Sequence, residues 1–385
     1  MTVVFARHPG GKNASMKRAH LVAAIGAALL LAACGTSSPT SPSAAAGGGP
    51  TPPAAALTGA GATFPAPFYT AAFYAYNQKF SQVTVNYQAI GSGAGIQQLT
   101  KKTVDFGASD VPLKTSEADA MGGSDKVVQI AGTLGTESLA YNLQGVSSGQ
   151  LKLTSKTIAG IFLGTIKKWN DQALAADNSG VSLPNQAITV VHRSDGSGTT
   201  YIFTDYLSNV SSDWKTKVGA GKSVSWPVGQ GASGNAAVAT TIKQTPGSIG
   251  YVELAYVLQT NMSQAQLQNH DGSFVTPSEA GATAAAAQFL NVSPTASFSI
   301  VNAPGKHSAP ISGYSWLMLY KDQLDKTKGT AMVDLFYWLI TDGQQYAATV
   351  HYAKLPSKMV QDDINALKTV TSGGSPLLTG VPAAS

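Results

Sequence analysis

The sequence predicts an α/β fold, in which strands alternate with helices and a polar loop joins each strand to the helix after it. Three stretches of the chain carry this prediction, at residues 57–80, 83–102 and 187–207. In each of them a loop rich in Gly, Ser or Thr directly precedes an apparent helix. Ligands of open α/β sheets bind at the carboxyl ends of the strands, so these loops are the first candidates for a functional site.

The N-terminal segment is typical of a secretory signal. A basic start at Met16-Lys-Arg precedes an apolar run at residues 21–31, which is too short to indicate a membrane span. We expect residues 1–33 to be a signal peptide. The true start is either Met1 or Met16, and Met16 is favoured because residues 1–15 add nothing that a signal needs.

Cys34 is the only cysteine of the chain. Residues 31–34 (Leu-Ala-Ala-Cys) resemble the lipobox of bacterial lipoproteins, in which the cysteine is lipidated and becomes the first mature residue. The alternative is an ordinary signal followed by an unrelated cysteine. A single cysteine can form neither an intramolecular disulfide nor a cysteine-based metal cluster, and this favours the lipid.

Residues 34–56 are predicted to be a lipidated cysteine followed by a flexible tether. After Cys34 this stretch contains only Ser, Pro, Thr, Ala and Gly, so it cannot bury enough apolar surface to fold. A lipid and a tether together indicate a globular body held near a membrane surface. The formal charge of +5 does not indicate nucleic-acid binding, because four basic residues and no acidic ones precede Cys34 and no basic run follows.

The body that follows the tether, roughly 330 residues long, is large enough for two domains. Apolar patterning predicts strands at residues 83–89, 104–109, 247–253 and 313–320 and helices at residues 96–102 and 331–340. The second of these strands ends at Asp110. The aromatic side chains of the last helix follow helical spacing and are expected in the core.

The loop at residues 191–200 (Val-His-Arg-Ser-Asp-Gly-Ser-Gly-Thr-Thr) is the most informative stretch of the sequence. A helix start leaves backbone N–H groups unpaired and carries the positive end of the helix dipole. Arg193 adds a planar fork of donors, and Ser197 and Thr199 add hydroxyls. Gly196 and Gly198 allow a ligand to approach the backbone. These features predict a binding site for a small tetrahedral oxyanion.

Thr63 and Ser92 occupy the equivalent positions in the other two loops, where each could also be a plain helix cap. Asp110 is out of place beside an anion, because the repulsion is about 4 kcal/mol at 4 Å and an effective dielectric of 20. The repulsion is offset if the ligand donates a proton to the carboxylate, which phosphate can do and sulfate cannot. Asp110 is therefore either a selectivity filter or a turn residue.

Catalysis is the weaker hypothesis. His192 adjoins the loop, but neighbouring residues of a strand point to opposite faces, so His192 and Arg193 do not share a site. Asp195 could hold the Arg193 guanidinium or form an Asx turn. The sequence shows no Gly-x-Ser-x-Gly elbow, no Walker loop and no metal-ligand spacing. We predict no catalytic residues, no metal and no cofactor.

Several motifs together resemble the phosphate-binding proteins (PstS type) of the phosphate-specific ABC importer. They are residues 57–67, 91–93, 104–110 and 161–170 and the Arg193 loop, and the similarity extends from about residue 57 to near residue 365. The resemblance implies a two-lobed periplasmic-binding-protein fold (type II), with the ligand in the cleft between the lobes. It implies residues 57–135 and 310–378 for lobe I and residues 136–309 for lobe II. Residues 132–138, near the expected hinge, are more polar than this family leads us to expect.

The resemblance also implies the ligand contacts. Carried over residue by residue, they are Thr63, Phe64 through its backbone N–H, Ser92, Asp110, Arg193, Ser197, Gly198 and Thr199. Asp195 matches the residue that pairs with the arginine, and Asp110 takes the proton-acceptor role. The implied function is capture of one inorganic phosphate, with selection against sulfate, by a monomer that delivers it to membrane permease subunits served by a separate ATPase.

The expected location is the extracytoplasmic face of the cell membrane, with the lipid on Cys34 as the anchor. A secreted phosphomonoesterase on the same scaffold is the alternative, and ester turnover abolished by Ser197→Ala would favour it. No feature of the sequence supports a third possibility, a cell-surface adhesion role.

Overall fold

The computed structural model describes residues 51–291 and 299–379. The predicted signal peptide, Met16, Cys34 and most of the predicted tether lie outside these residues. The strands, numbered along the chain, are β1 (Ala55–Gly61), β2 (Val83–Ala89), β3 (Phe106–Ser109), β4 (Val127–Asn142), β5 (Lys152–Leu153), β6 (Thr189–Arg193), β7 (Gln230–Ala232), β8 (Ser248–Glu253), β9 (Ser263–Gln264), β10 (Gln266–Gln268), β11 (Phe274–Val275), β12 (Ser312–Tyr320), β13 (Thr371–Ser372) and β14 (Ser375–Pro376). The helices are α1 (Ala66–Lys79), α2 (Ser92–Thr100), α3 (Thr115–Ala120), α4 (Ser155–Phe162), α5 (Gln172–Asp177), α6 (Gly198–Val210), α7 (Ser212–Lys217), α8 (Gly234–Gln244), α9 (Leu254–Gln259), α10 (Glu279–Ala286), α11 (Lys326–Ile340) and α12 (Ser357–Leu367).

One mixed sheet organises the fold. Its strand order is β2-β1-β3-β12-β4-β8-β6-β7, with β9 paired to β4. Strands β1, β2 and β3 run parallel to one another, as do β6, β7 and β8. We call the first set the β1 side of the sheet and the second set the β6 side. The antiparallel strands β12 and β4 lie between the two sides.

Strand β4 connects the two sides of the sheet. Up to Thr136 its residues pair with β12, and from Glu137 onward they pair with β8. Glu137 lies directly opposite Glu253, the last residue of β8. The polar stretch at residues 132–138 falls within this buried strand. The lobe boundaries stay a prediction, and β4 changes its partner one residue after the expected boundary.

The predicted strands and helices are of the correct type, but their first and last residues differ from the prediction by a few positions. The alternating pattern at residues 83–89 is β2, and the predicted strand at 104–109 starts two residues later as β3. The predicted helix at 96–102 begins earlier, at Ser92, because Gly91 has a φ of 94° and ends the extended chain there.

The last two residues of the predicted tether, Ala55 and Ala56, belong to a strand instead. Ala55 and Ala56 already belong to β1, since the Ala55 N–H donates to the Gln82 carbonyl (3.0 Å) and Ala55 pairs with Val83. The backbone hydrogen bonds of β1 therefore hold these two residues in place, although alanine side chains bury too little apolar surface to do this.

The apolar core runs under both sides of the sheet. The aromatic face of α1 packs in it, and Tyr69 stacks on Phe73 with ring centroids 5.4 Å apart. Helix α11 buries Phe336 and Trp338, which confirms the core prediction for these two aromatic residues, while Tyr337 is half-buried against the same core. Within the described ranges, no helix is both long and apolar enough to cross a membrane.

Helix α2 packs directly on β1 through Gly95. A Cβ at this position would lie 2.3 Å from the Gly61 Cα and 2.5 Å from the Ala60 carbonyl oxygen. We expect Gly95→Ala to lower the free energy of unfolding by about 1–3 kcal/mol, because the strand backbone must shift, although alanine favours the helix. Urea unfolding measures this change, with the exposed Gln97→Ala on the same helix as the control. Equal midpoints for the two variants would contradict the prediction.

Candidate functional site

The candidate site lies where the carboxyl ends of strands from both sides of the sheet meet. The structure brings all eight predicted contact residues here and buries them: Thr63, Phe64, Ser92 and Asp110 from the β1 side, and Arg193, Ser197, Gly198 and Thr199 from the β6 side. Each group follows the end of a parallel strand, where the loops of an α/β sheet gather. We call these two groups the walls of the site: residues 63–110 contribute one wall and residues 193–199 the other, far apart in sequence.

The two walls touch at the glycines of their loops. The Gly198 N–H donates to the Ser92 hydroxyl oxygen (3.1 Å), and the Gly93 N–H donates to the Gly196 carbonyl (2.8 Å). A Cβ on Gly198 would lie 2.4 Å from the side chain of Asp110. Position 198 therefore admits only glycine if the two walls are to meet at this distance.

Arg193 supplies the positive charge of the site, and Asp195 holds it. The Arg193 Nε donates to Asp195 Oδ1 (2.7 Å), and the terminal nitrogen Nη2 donates to Asp195 Oδ2 (2.5 Å). Burial alone would raise the pKa of the Asp195 carboxyl, but the hydrogen bonds and charge of Arg193 bring it below its ordinary value. The other terminal nitrogen, Nη1, donates to the Thr199 hydroxyl (3.2 Å). A guanidinium has five N–H groups, so two remain for other acceptors.

Asn235, which the sequence analysis did not select, joins the two walls. Its Nδ2 donates to the hydroxyl oxygens of Thr63 and Thr199, both at 3.0 Å. The Thr63 oxygen also accepts the Asn235 N–H (3.2 Å), and the Thr199 oxygen also accepts from Arg193. Each hydroxyl oxygen thus accepts two hydrogen bonds, so its own proton is directed elsewhere.

Like the two threonine hydroxyl protons, the backbone N–H groups of three fully buried residues at the site lack an acceptor within the described chain. Among the described residues, no acceptor lies within hydrogen-bond geometry of the N–H groups of Phe64, Ser92 and Thr199. All three residues are 0% exposed. An unpaired buried N–H is unfavourable by about 1–3 kcal/mol, so such groups mark a place prepared for an acceptor. Ser92 and Thr199 also lie at the starts of α2 and α6, where the helix dipole favours an anion.

Asp110 adds an acceptor to this set of donors. Its Oδ2 lies 3.5 Å from the Ser92 hydroxyl oxygen, and its Oδ1 has no hydrogen-bond partner within the described part of the chain. Burial raises the pKa of Asp110 to about 7, against the lowering effects of the Ser315 hydroxyl, the Arg193 charge and the Ser92 hydroxyl. The carboxyl is therefore close to the balance between its neutral and ionised forms at neutral pH.

Three tyrosines fix the turn that presents Thr63 and Phe64. Tyr87 donates to the Ala62 carbonyl (2.7 Å), Tyr256 to the Thr63 carbonyl (2.6 Å) and Tyr352 to the Phe64 carbonyl (2.5 Å). Each of the three successive carbonyls therefore accepts a hydrogen bond from a different tyrosine. With these oxygens held, the N–H groups of the turn have a fixed direction.

His192 and Ser197, the residues that a hydrolase would need here, are engaged in other contacts. His192 lies away from the site and stacks on Trp226, with ring centroids 4.7 Å apart. Burial lowers the pKa of His192, and its Nδ1 contacts the Arg193 carbonyl rather than a hydroxyl. The Ser197 oxygen caps α6 by accepting the Thr200 N–H (3.0 Å). In the described ranges, no cluster of His, Cys, Asp and Glu could hold a metal ion.

Comparison with known proteins identifies the family. A profile of the PBP superfamily domain matches residues 40–342. The phosphate-binding protein PstS of Pasteurella multocida is 44% identical over 306 residues, which are 79% of this chain and 88% of that protein. The chain belongs to the PstS family of phosphate-binding proteins. A PstS protein of Methanocaldococcus jannaschii is 33% identical over 332 residues, covering 80% of this chain and 85% of that protein. These names describe binding proteins, which confirms the prediction that the chain is not an enzyme.

Solved structures confirm the fold. A phosphate-binding protein of Stenotrophomonas maltophilia aligns with a TM-score of 0.61 at 18% identity, over 81% of this chain and 94% of that one. The periplasmic phosphate-binding protein PfluDING aligns with a TM-score of 0.63 at 20% identity, over 84% of this chain and 100% of that one. At such identities the likeness shows the fold alone. With the family, it confirms the predicted α/β architecture of a two-lobed periplasmic-binding protein.

Asn235 was missed because its signal is weak in the sequence. It follows the short strand β7 in the segment Ala232-Ser-Gly-Asn, a Gly/Ser loop before a helix like the three that were selected. The segment lacks a charged residue, and most such loops are only turns. Its place after a parallel strand of the sheet is what brings it to the site.

Proposed function

We propose that this protein is an extracytoplasmic receptor that captures one inorganic phosphate in the site between Thr63 and Thr199. The observation that carries the proposal is a single hydrogen-bonded network of buried groups whose remaining donors have no partner among residues 51–291 and 299–379. These donors are the N–H groups of Phe64, Ser92 and Thr199, the Thr63 and Thr199 hydroxyl protons and two N–H groups of Arg193. Such a set matches an anion with several oxygens in a tetrahedral arrangement.

The assignment of contacts follows the same network. Thr63, Phe64, Ser92, Arg193, Ser197, Gly198 and Thr199 bind the phosphate oxygens in this proposal, and Asp195 holds Arg193 in position. Asp110 accepts the proton that phosphate keeps at neutral pH. An ionised Asp110 repels sulfate, which has no proton to donate, so the carboxylate selects against that anion.

The names of the relatives support the ligand. PstS proteins at 43–44% identity are named as phosphate-binding, and PfluDING was solved bound with phosphate. In the proposed cycle the two sides of the sheet close over the phosphate because both make contacts to it. The receptor, a monomer, then delivers phosphate to the permease subunits of an ABC importer with a separate ATPase.

The anchor is a further part of the proposal and rests on the sequence. Cys34 carries the lipid and holds the receptor on the extracytoplasmic face of the cell membrane through the tether. Mass spectrometry of the mature N-terminus tests this, with loss of the lipid in Cys34→Ala as the matched control. A mature chain that retains residues before Cys34, or that carries no lipid, would contradict it.

Isothermal titration calorimetry with inorganic phosphate tests the receptor function itself. Well above the Asp110 pKa of about 7, we expect saturation at one phosphate per chain and no heat of specific binding from sulfate at the same concentration. A chromogenic phosphate monoester should not be hydrolysed, since the Ser197 oxygen caps α6 and His192 stacks on Trp226 away from the site. Absence of phosphate binding by folded protein would overturn the proposal, and ester turnover abolished by Ser197→Ala would replace it with an esterase.

A further inference from the structure

Glu253 lies buried next to the site and pairs with Tyr352, one of the three tyrosines that hold the turn at Thr63 and Phe64. Glu253 ends β8 and is 0% exposed, and Tyr352 is 1% exposed. Glu253 Oε2 lies 2.8 Å from the Tyr352 hydroxyl and accepts the Ala255 N–H at 2.9 Å. The same tyrosine hydroxyl lies 2.5 Å from the Phe64 carbonyl oxygen.

Counting protons decides which atom donates in each contact. The Tyr352 hydroxyl has one proton and two short contacts. The Phe64 carbonyl can only accept, so the tyrosine proton goes to it. The contact between the Tyr352 oxygen and Glu253 Oε2 then requires a proton on Glu253. An ionised Glu253 would instead take the tyrosine proton and leave two oxygens 2.5 Å apart with none between them.

We propose that Glu253 is a neutral carboxylic acid whose proton orients the Tyr352 hydroxyl toward the Phe64 carbonyl, so that the pair positions the Phe64 N–H for the phosphate. Both residues are positioning residues, because they act on the ligand through Phe64. This inference rests on the proposed function for its effect on phosphate, whereas the proton on Glu253 follows from geometry alone.

The surroundings of Glu253 agree with a neutral form. The titratable groups that face it from the neighbouring elements are Asp110, Glu137, Tyr256 and Tyr352. Arg193, the cation that acts on Glu137 and Tyr256, is already paired with Asp195. Glu137, directly opposite in β4, has no hydrogen-bond partner on either carboxyl oxygen within the described residues. Burial raises the pKa of both glutamates well above the ordinary value.

Glu253 also orients the amide that joins the two walls. Its backbone N–H donates to Asn235 Oδ1 (3.1 Å), which identifies that atom as the amide oxygen and leaves Nδ2 to face the two threonines. One residue at the end of β8 therefore supports both Asn235, through its backbone, and Phe64, through its side chain.

Native capillary electrophoresis at neutral pH tests the proton directly. If Glu253 is neutral, Glu253→Gln changes no charge and its mobility equals that of the wild type. The exposed Asp119→Asn is the control and should shift the mobility by one full charge. A shift of one charge in Glu253→Gln would overturn the inference. This readout does not depend on phosphate, so it remains decisive if the protein proves to bind another ligand.

Calorimetry tests the positioning role. Tyr352→Phe removes the hydroxyl and should weaken phosphate binding by about tenfold, because the Phe64 carbonyl loses its donor. Tyr206→Phe is the matched control, since the hydroxyl of the buried Tyr206 has no partner among the described residues, and it should leave the affinity unchanged. Equal affinities for the two variants would overturn the positioning role, whereas a wild type that binds no phosphate would instead overturn the proposed function.

Discussion

Replacing Arg193 with alanine should cause the largest loss of phosphate affinity of any single change, about a hundredfold or more. Arg193 is the only arginine after residue 18 and is 3% exposed. The change removes the positive charge of the site and two N–H donors for the ligand. It also leaves the partly buried Asp195 carboxylate with the Gly234 N–H (3.1 Å) but without its arginine, which lowers the stability of the folded site.

Three variants separate these contributions by calorimetry. Arg193→Lys keeps the charge but not the planar fork, so it should bind phosphate more weakly than the wild type and better than Arg193→Ala. Lys328→Ala breaks an ion pair with Asp105 (3.1 Å) away from the site and should leave the affinity unchanged. Circular dichroism must show that each variant is folded. An affinity of folded Arg193→Ala within threefold or so of the wild type would place the pocket elsewhere.

The second large effect is the loss of anion selectivity in Asp110→Asn. In the wild type an ionised Asp110 beside sulfate is unfavourable by about 4 kcal/mol at 4 Å, or roughly a thousandfold in affinity. An asparagine amide has no charge, so this repulsion disappears while the other donors remain. Calorimetry with both anions about two pH units above the Asp110 pKa of about 7, where the carboxyl is ionised, should show the ratio of phosphate to sulfate affinity falling by at least about tenfold. An unchanged ratio would refute the filter.

The raised pKa of Asp110, about 7, gives the filter a pH dependence with a definite sign. Below this pKa the carboxyl is neutral and can donate, and above it the carboxylate repels any anion without a proton. Sulfate should therefore compete with phosphate better as the pH falls through about 7. Asp110→Asn should lose this dependence, whereas Asp363→Asn, a change in another buried acid that accepts from the Ala131 N–H, should keep it. If sulfate competed with phosphate equally well above and below the Asp110 pKa, this mechanism would be contradicted.

The α/β alternation and one wall of the site could be predicted because their signals are local. Period-two patterning marked β2, and the loop from Arg193 to Thr199 carried its charge, hydroxyls and glycines within a few residues. The insertion of β12 between β3 and β4 depends instead on pairing between segments about 200 residues apart, which no local pattern shows.

The supporting residues of the site escaped the sequence analysis for a related reason. Tyr256 and Tyr352 look like ordinary core aromatics, and their hydroxyls gain a role only through carbonyls at Thr63 and Phe64. Glu253 did leave a signal, since it is a lone acid in the apolar stretch from Ile249 to Leu258. A charged residue in a buried strand is uncommon, and it could have been followed up as a functional candidate.

The three tyrosines that hold the carbonyls of residues 62–64 also set an order in time. Their partners in the turn are 25, 193 and 288 residues away in sequence. A chain that emerges from its N-terminus makes the ligand turn early but cannot fix its shape until residue 352 has arrived. Contacts of such long range form late in folding. Recognition of the ligand is therefore among the last properties that the folding chain acquires, since a chain that has not yet reached Tyr352 lacks the donor that holds the Phe64 carbonyl.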